Sequence, residues 1–225
     1  MTWLPVEAGA RAERDAVLGL QPEAYELLQA ALARAWQATD PRLLDLCRLR
    51  FAQLVEARAE LAGADAQLLM DLERWESGAA FSERERAALA FAEQFHLDHN
   101  GITADQEAAL AAHLSRREYF TFVRALHLND AYVRVLSLLD VEPDPPAAPP
   151  RIERLAPSTP AQRVSDPEPV DPSLTGRALL QALVDPALQA AVLAYGRAAM
   201  RQSLVDDVTS EAVRLRNASH HACLF

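Results

Sequence analysis

The chain is poor in cysteine and glycine, and it has no long apolar run. Its two cysteines, Cys47 and Cys223, stand 176 positions apart in 225 residues, which argues against a disulfide framework. No apolar segment approaches the roughly 20 residues of a membrane span, so we expect no membrane association. The first residues lack the basic region and apolar core of a signal peptide. We therefore predict a cytoplasmic protein.

Basic residues are also scarce relative to acidic ones. The formal net charge is −10 and the isoelectric point is about 5.1. Because nucleic acids are bound by basic patches that offset phosphate repulsion, this charge argues against a nucleic-acid partner.

Helix-forming residues are abundant, and explicit helix-start signals accompany them. Ala, Leu, Arg and Glu dominate while β-branched residues are sparse, so the predicted fold class is all-α. We expect one helix from Asp40 to Gly63 and a long central helix over residues 116–140. The start signals are Asp40 before Pro41 and the capping boxes Ser82/Glu85, Thr103/Gln106 and Ser115/Glu118.

Residues 142–172 contain ten of the fourteen prolines, which is typical of a linker or an extended surface segment. Helical patterns resume after this segment, and Asp185 with Pro186 repeats the start signal of residue 40. We predict a complete helical domain over 1–141, a proline-rich linker over 142–172 and a further unit over 173–225.

The final unit resembles an earlier part of the same chain. Residues 40–61 and 206–225 superpose without gaps and share an Arg-Leu-Arg triplet, at 48–50 and at 214–216. An acid precedes each triplet by three places, Asp45 or Glu211. The triplet alone could be chance in an Arg/Leu-rich chain, but the shared acid, register and preceding apolar helix favour an internal repeat. The second copy stops halfway.

These segments, with the helices over residues 81–143, resemble the alkylhydroperoxidase-like, carboxymuconolactone decarboxylase family. The family carries a CxxC pair whose first cysteine follows the triplet by seven residues, which is the position of Cys223. Its conserved glutamate, twelve residues earlier, matches Glu211. The resemblance implies a helical bundle of the alkylhydroperoxidase-like type that forms homo-oligomers. It also implies an antioxidant peroxidase of peroxiredoxin type, which reduces a small hydroperoxide with a dithiol reductant and uses no cofactor or metal.

The first copy departs from that motif. The two cysteine positions hold Ala57 and Glu60, the family histidine position holds Ala64, and Asp45 replaces the glutamate. Cys47 matches no family position and stands among leucines, so we expect it in the core. Thiol chemistry is therefore not predicted for residues 1–143.

In the second copy, the candidate catalytic residues are Cys223, Glu211 and His220. A peroxidatic thiolate becomes a sulfenic acid that a second thiol resolves, a carboxylate accepts the thiol proton, and a neighbouring imidazolium lowers the thiol pKa. On one continuous helix, Glu211 and Cys223 would be about 18 Å apart along the axis, so contact requires a break. The alternatives are a buried, inert Cys223 and a Glu211 that stabilises a first helical turn.

Three functions stay open at this point. The first is thiol-dependent peroxide reduction by the second copy, if its motif is completed. The second is a catalytically degenerate family member that acts as an oligomerisation or interaction module. The third is a cysteine-independent, lactone decarboxylase-type reaction for which Asp45 is the only candidate base.

His96 and His99 form an HxxH pair near a predicted helix end. The spacing is compatible with a metal, but no third ligand accompanies it in sequence. A helix C-terminus, where the dipole favours imidazolium, is the ordinary explanation. No metal site is predicted.

Overall fold

The computed structural model describes residues 2, 4, 13–143, 171, 173–201, 206, 208, 209, 211, 212, 215 and 216. This part of the chain contains ten α-helices, one 3₁₀ turn at His99–Gly101 and no strand, which confirms the all-α prediction. The helices are α1 (Glu13–Leu18), α2 (Pro22–Ala38), α3 (Pro41–Leu54), α4 (Arg58–Leu61), α5 (Ala66–Glu73), α6 (Glu83–Asp98), α7 (Ala104–Ala111), α8 (Arg116–Leu138), α9 (Gly176–Leu183) and α10 (Pro186–Arg201).

The predicted caps are present at the helix starts. The side chains of Ser82, Thr103 and Ser115 each accept a hydrogen bond from the backbone N–H three residues on, and the reciprocal bond completes each capping box. Asp40 accepts from the first two N–H groups that follow Pro41. Each cap satisfies donors that a helix start leaves unpaired, so these starts are fixed by local chemistry.

The prediction of one helix from Asp40 to Gly63 is wrong. Helix α3 ends at Leu54, Glu56 adopts a positive φ of 53°, and α4 begins at Arg58. The hydroxyl of Ser137, on α8, donates to the carbonyl of Val55 at 2.5 Å and so provides a hydrogen bond to a carbonyl oxygen at the end of α3. A contact 82 residues away in sequence thus stabilises the break, for which the local sequence offers no Gly or Pro signal.

Helix α8 is central, as its apolar pattern predicts. One of its faces packs with Trp36 of α2, and another packs with Phe51 of α3 and with α6. The buried apolar α8 side chains are Phe122, Ala125, Leu126, Leu128, Tyr132, Val133 and Leu136. Burying one large apolar side chain stabilises the fold by about 1.5–3 kcal/mol, so α8 holds both sides of the bundle together.

Helices α9 and α10 pack on the first part of the chain. Val184 and Leu188 are buried in the same cluster as Trp36. Helix α10 lies along α2, and its C-terminal Tyr195 lies beside the start of α2, so the two helices are antiparallel. The N–H of Asp185 donates to the hydroxyl of Thr121 at 2.9 Å, which fixes the start of α10 on α8. Among the described residues, every helix is too short or too polar to cross a membrane.

Candidate functional site

The structure describes one of the three predicted catalytic residues. Cys223 and His220 lie outside the described residues. Glu211 lies in a helical stretch and is exposed. The predicted grouping of these three side chains therefore stays a prediction.

The corresponding positions of the first copy lie close together around one cavity. Asp45, Glu60 and Ala64 line a cavity of about 200 Å³, together with Arg48. Ala57, at the position of the first family cysteine, precedes the first residue of α4 and is buried. The break between α3 and α4 folds the chain back on itself and brings Glu60 against Arg48, twelve residues earlier. Three of the four positions that the family motif designates thus share a cavity.

A buried ion-pair cluster forms one wall of this cavity. The Arg48 guanidinium donates through Nη1 to Glu60 Oε2 at 2.6 Å and to the Glu60 carbonyl at 3.1 Å. Through Nη2 and Nε it donates to Asp45 Oδ1 at 2.7 and 3.1 Å. The Arg48 and Glu60 side chains are only 4% and 6% exposed. One arginine therefore joins the Asp45 and Glu60 carboxylates, which the sequence analysis predicts to correspond to the family glutamate and second cysteine.

A second arginine closes the cluster from the other side. Arg14, on α1, lies 3.0 Å from Glu60 Oε1 through Nη1, and the same nitrogen donates to the Tyr132 hydroxyl at 2.8 Å. Two guanidinium groups thus meet the buried Glu60 and the partly exposed Asp45 carboxylates, and the four formal charges balance.

The protonation states follow from burial and charge. Burial alone would lower the pKa of the Arg48 guanidinium, but the negative charges of Glu60 and Asp45 outweigh it and raise that pKa. Burial also raises the pKa of the Tyr132 hydroxyl above its ordinary value, so the phenol is neutral at neutral pH. Both Glu60 oxygens are engaged by arginines. The Glu60 carboxylate is therefore held in ion pairs with Arg14 and Arg48.

The thiol of Cys47 lies in the core, as its leucine neighbours predict. The residue is fully buried, and its sulfur is 3.7 Å from the carbonyl oxygen of Ala88. Burial raises the thiol pKa above its usual range, and the charge of Asp45 raises it further. Since the thiolate is the reactive form, Cys47 is not a nucleophile near neutral pH.

The sequence reasoning missed a second polar cluster at the end of α6. His96 Nδ1 lies 2.5 Å from Asp130 Oδ1, and Arg134 binds the same carboxylate at 3.0 and 3.1 Å. Arg134 also donates to the carbonyl of His96, and the His96 ring stacks on Phe51 at a centroid distance of 5.3 Å. The cluster fixes the end of α6 on α8. The four-residue spacing of Asp130 and Arg134 on one helix is the sequence feature that could have indicated this cluster.

His96 and His99 do not share a ligand site in the structure. His96 is buried on Asp130, whereas His99 is exposed and starts the 3₁₀ turn. Within the described ranges, no group of three or more His, Cys, Asp or Glu side chains could hold a metal ion.

Comparison with known proteins assigns neither a family nor a function to the chain. No protein-family model matches the chain, and no curated protein matches it. The likeness to the alkylhydroperoxidase-like family therefore stays a prediction from the residues.

Proposed function

We propose that the protein is a catalytically degenerate, alkylhydroperoxidase-like helical protein that serves as an oligomerisation or interaction module. The observation that carries the proposal is the buried Glu60, held by Arg14 and Arg48 at the position of the second family cysteine. A carboxylate bound by two arginines cannot resolve a sulfenic acid, because that step needs a thiol. The cavity that would hold the redox pair is lined by an ion-pair cluster instead.

The remaining candidate groups of the first copy support the same proposal. Cys47 is buried and stays protonated. Asp45, the only candidate base for a cysteine-independent reaction, accepts two hydrogen bonds from Arg48. This ion pair holds the Asp45 carboxylate against a cation in the cavity wall. The one candidate base of the lactone decarboxylase-type alternative is therefore engaged in an ion pair.

A concave apolar surface supports an association role. A groove of about 300 Å³ runs between the start of α2 and the end of α10, and Leu18, Leu28 and Tyr195 contribute to its lining. Leu20 also contributes to the lining, and its side chain protrudes with an exposed fraction of 59%. Because one patch offers both a concave surface and a protruding apolar side chain, it suits a two-fold interface between copies of the chain.

The second candidate function is thiol-dependent peroxide reduction by the second copy. The exposure of Glu211 favours it, because a carboxylate that takes the proton of a peroxide-reactive thiol lies at a site that the peroxide can enter. In this candidate, Cys223 is the peroxidatic or resolving thiol, and His220 lowers its pKa. A hydroperoxide is the substrate and a dithiol is the reductant.

One assay distinguishes the two functions. Consumption of hydrogen peroxide and of an alkyl hydroperoxide is measured with excess dithiol reductant for wild type, Cys223→Ser and Cys47→Ala. For the module, we expect all three rates to equal that of the reductant alone. A wild-type rate that Cys223→Ser abolishes and Cys47→Ala retains would contradict the module and establish the peroxidase.

A further inference from the structure

The surroundings of Arg14 have the chemistry of a binding site for a planar cation. Its Nη1 is 2.8 Å from the Tyr132 hydroxyl and 3.0 Å from Glu60 Oε1, and its Nη2 donates to the carbonyl of Ala59 at 3.2 Å. The guanidinium carbon lies 5.8 Å from the centre of the Tyr132 ring. Carboxylate, hydroxyl, carbonyl and aromatic face thus all contact one guanidinium, whose side chain is 9% exposed.

The groups that receive Arg14 are positioned independently of α1. Glu60 and Ala59 belong to α4, and Glu60 is also held by Arg48 at 2.6 Å. Tyr132 belongs to α8 and is packed in the core beside Leu128 and Leu136. Helix α1, by contrast, has six residues and supplies only the arginine. The site is therefore a preformed receptor, and Arg14 is the part of it that can be removed.

We propose that Glu60, Tyr132 and the Ala59 carbonyl form a guanidinium-binding site. In the wild-type chain the Arg14 side chain occupies this site, and an external guanidinium compound binds there when that side chain is absent. The inference is independent of the proposed function. Glu60 also lines the cavity of about 200 Å³, together with its second partner Arg48.

The geometry selects a guanidinium over an ammonium. Two nitrogens of one planar group reach three oxygens on α4 and α8, which a single ammonium nitrogen does not span. A guanidinium is also more weakly hydrated than an ammonium and pairs well with an aromatic face, so it loses less on burial beside Tyr132.

The test is chemical rescue of Arg14→Ala in the full chain. The probe is N-methylguanidinium chloride, added up to tens of millimolar, and the readout is the midpoint of thermal unfolding followed by helical circular dichroism. We expect a saturable rise of the midpoint, with half-saturation at about 1 mM, as suits a small cation in a preformed site. Wild type, whose site is filled, is expected to show no rise.

Three matched controls test whether the response is specific for a guanidinium and for this site. Methylammonium chloride at equal concentration is expected to leave Arg14→Ala unchanged. Arg58→Ala removes an exposed arginine, 52% exposed and paired with Asp140 at 2.6 Å, and is expected not to respond to the probe. The double variant Arg14→Ala/Glu60→Gln is expected to lose the response because the carboxylate is gone.

The response of Arg14→Ala to the two cations tests the proposal. If Arg14→Ala is unfolded in buffer, its helical signal is expected to return with methylguanidinium and not with methylammonium. No response of Arg14→Ala to methylguanidinium, an equal response to both cations, or an equal response of Arg58→Ala overturns the proposal.

Discussion

At the scale of single residues, Glu60 is the carboxylate that pairs with two buried arginines. It faces Arg14 on one oxygen and Arg48 on the other, and all three side chains are at least nine-tenths buried. Taking such charges out of water is expensive, and their mutual attraction repays the cost only while every partner is present. The cluster is therefore more sensitive to the loss of one member than an exposed ion pair is.

The first prediction concerns Glu60→Gln. The amide keeps the shape of the side chain but removes the charge that balances two buried arginines. We expect the free energy of unfolding, measured by urea titration at neutral pH, to fall by about 3–5 kcal/mol. Glu76→Gln, at an exposed position, is the matched control and is expected to change it by at most about 0.5 kcal/mol. Equal effects of the two substitutions would contradict the assigned role of Glu60.

The second prediction concerns the pH dependence that Glu93 confers. Burial raises the pKa of this carboxyl, but hydrogen bonds from Arg50 and Trp75, at 2.7 and 3.0 Å, outweigh burial and lower the pKa below its usual 4.5. The folded state therefore favours the ionised form. This contribution to stability is complete above pH 4.5 and is lost as the pH falls through the lowered pKa.

Urea unfolding of wild type and Glu93→Gln measures the effect. We expect the substitution to destabilise the protein at neutral pH and to do so less at about pH 3, which lies below the ordinary pKa of 4.5 and where the preference for the ionised form contributes less to stability. A difference between the two proteins that is the same at both pH values would refute the assignment of the lowered pKa to Glu93.

At the scale of elements, the helix starts were predictable and the break at the end of α3 was not. Ser82, Thr103 and Ser115 cap their own helices through contacts three residues away, so a local pattern contains the necessary information. The break depends on Ser137 and on Glu60 meeting Arg48. Those contacts exist only once α8 and α4 are in place, and no local propensity encodes them.

The third prediction tests the packing of α10 on α2. Leu188 is fully buried in the cluster that contains Trp36, so truncating it leaves a cavity between the two helices. We expect Leu188→Ala to lower the free energy of unfolding by about 2–5 kcal/mol in a single transition. Leu180→Ala on α9, at a position 39% exposed, is expected to cost under about 1 kcal/mol. A first transition confined to α10, or equal costs, would mean that α10 is not part of the common core.

At the scale of the whole molecule, α9 and α10 complete the bundle. The linker predicted over residues 142–172 separates them in sequence from α8, yet Val184 and Leu188 share a core cluster with Leu136. Covering α2 with α10 also creates the groove between their ends, because its lining comes from both helices. The surface offered for association is thus a product of how the two parts of the chain pack.

The fourth prediction concerns self-association through this groove. Leu20→Glu places a charge at its edge, where burial against a second copy would be costly. We expect the wild-type chain to form an oligomer at micromolar concentration in sedimentation velocity and Leu20→Glu to shift it to monomer. Met70→Glu makes the same kind of change at an exposed position on α5, 49% exposed, and is expected to leave the oligomer intact. An oligomer that resists Leu20→Glu, or a monomeric wild type, would rule out this interface.

Residue types and their spacing within a few turns were enough to predict the helical class, the capped helix starts, the central α8 and the burial of Cys47. The Arg-Leu-Arg triplet at 48–50 places two cations on α3, and in the structure Arg48 and Arg50 pair with acids on neighbouring helices, Glu60 and Glu93. Which acids pair with these arginines, that Arg14 joins Glu60, and that His96 meets Asp130 became known from the packing of the helices. Such choices depend on distances between residues far apart in the chain, which are fixed only when the helices pack.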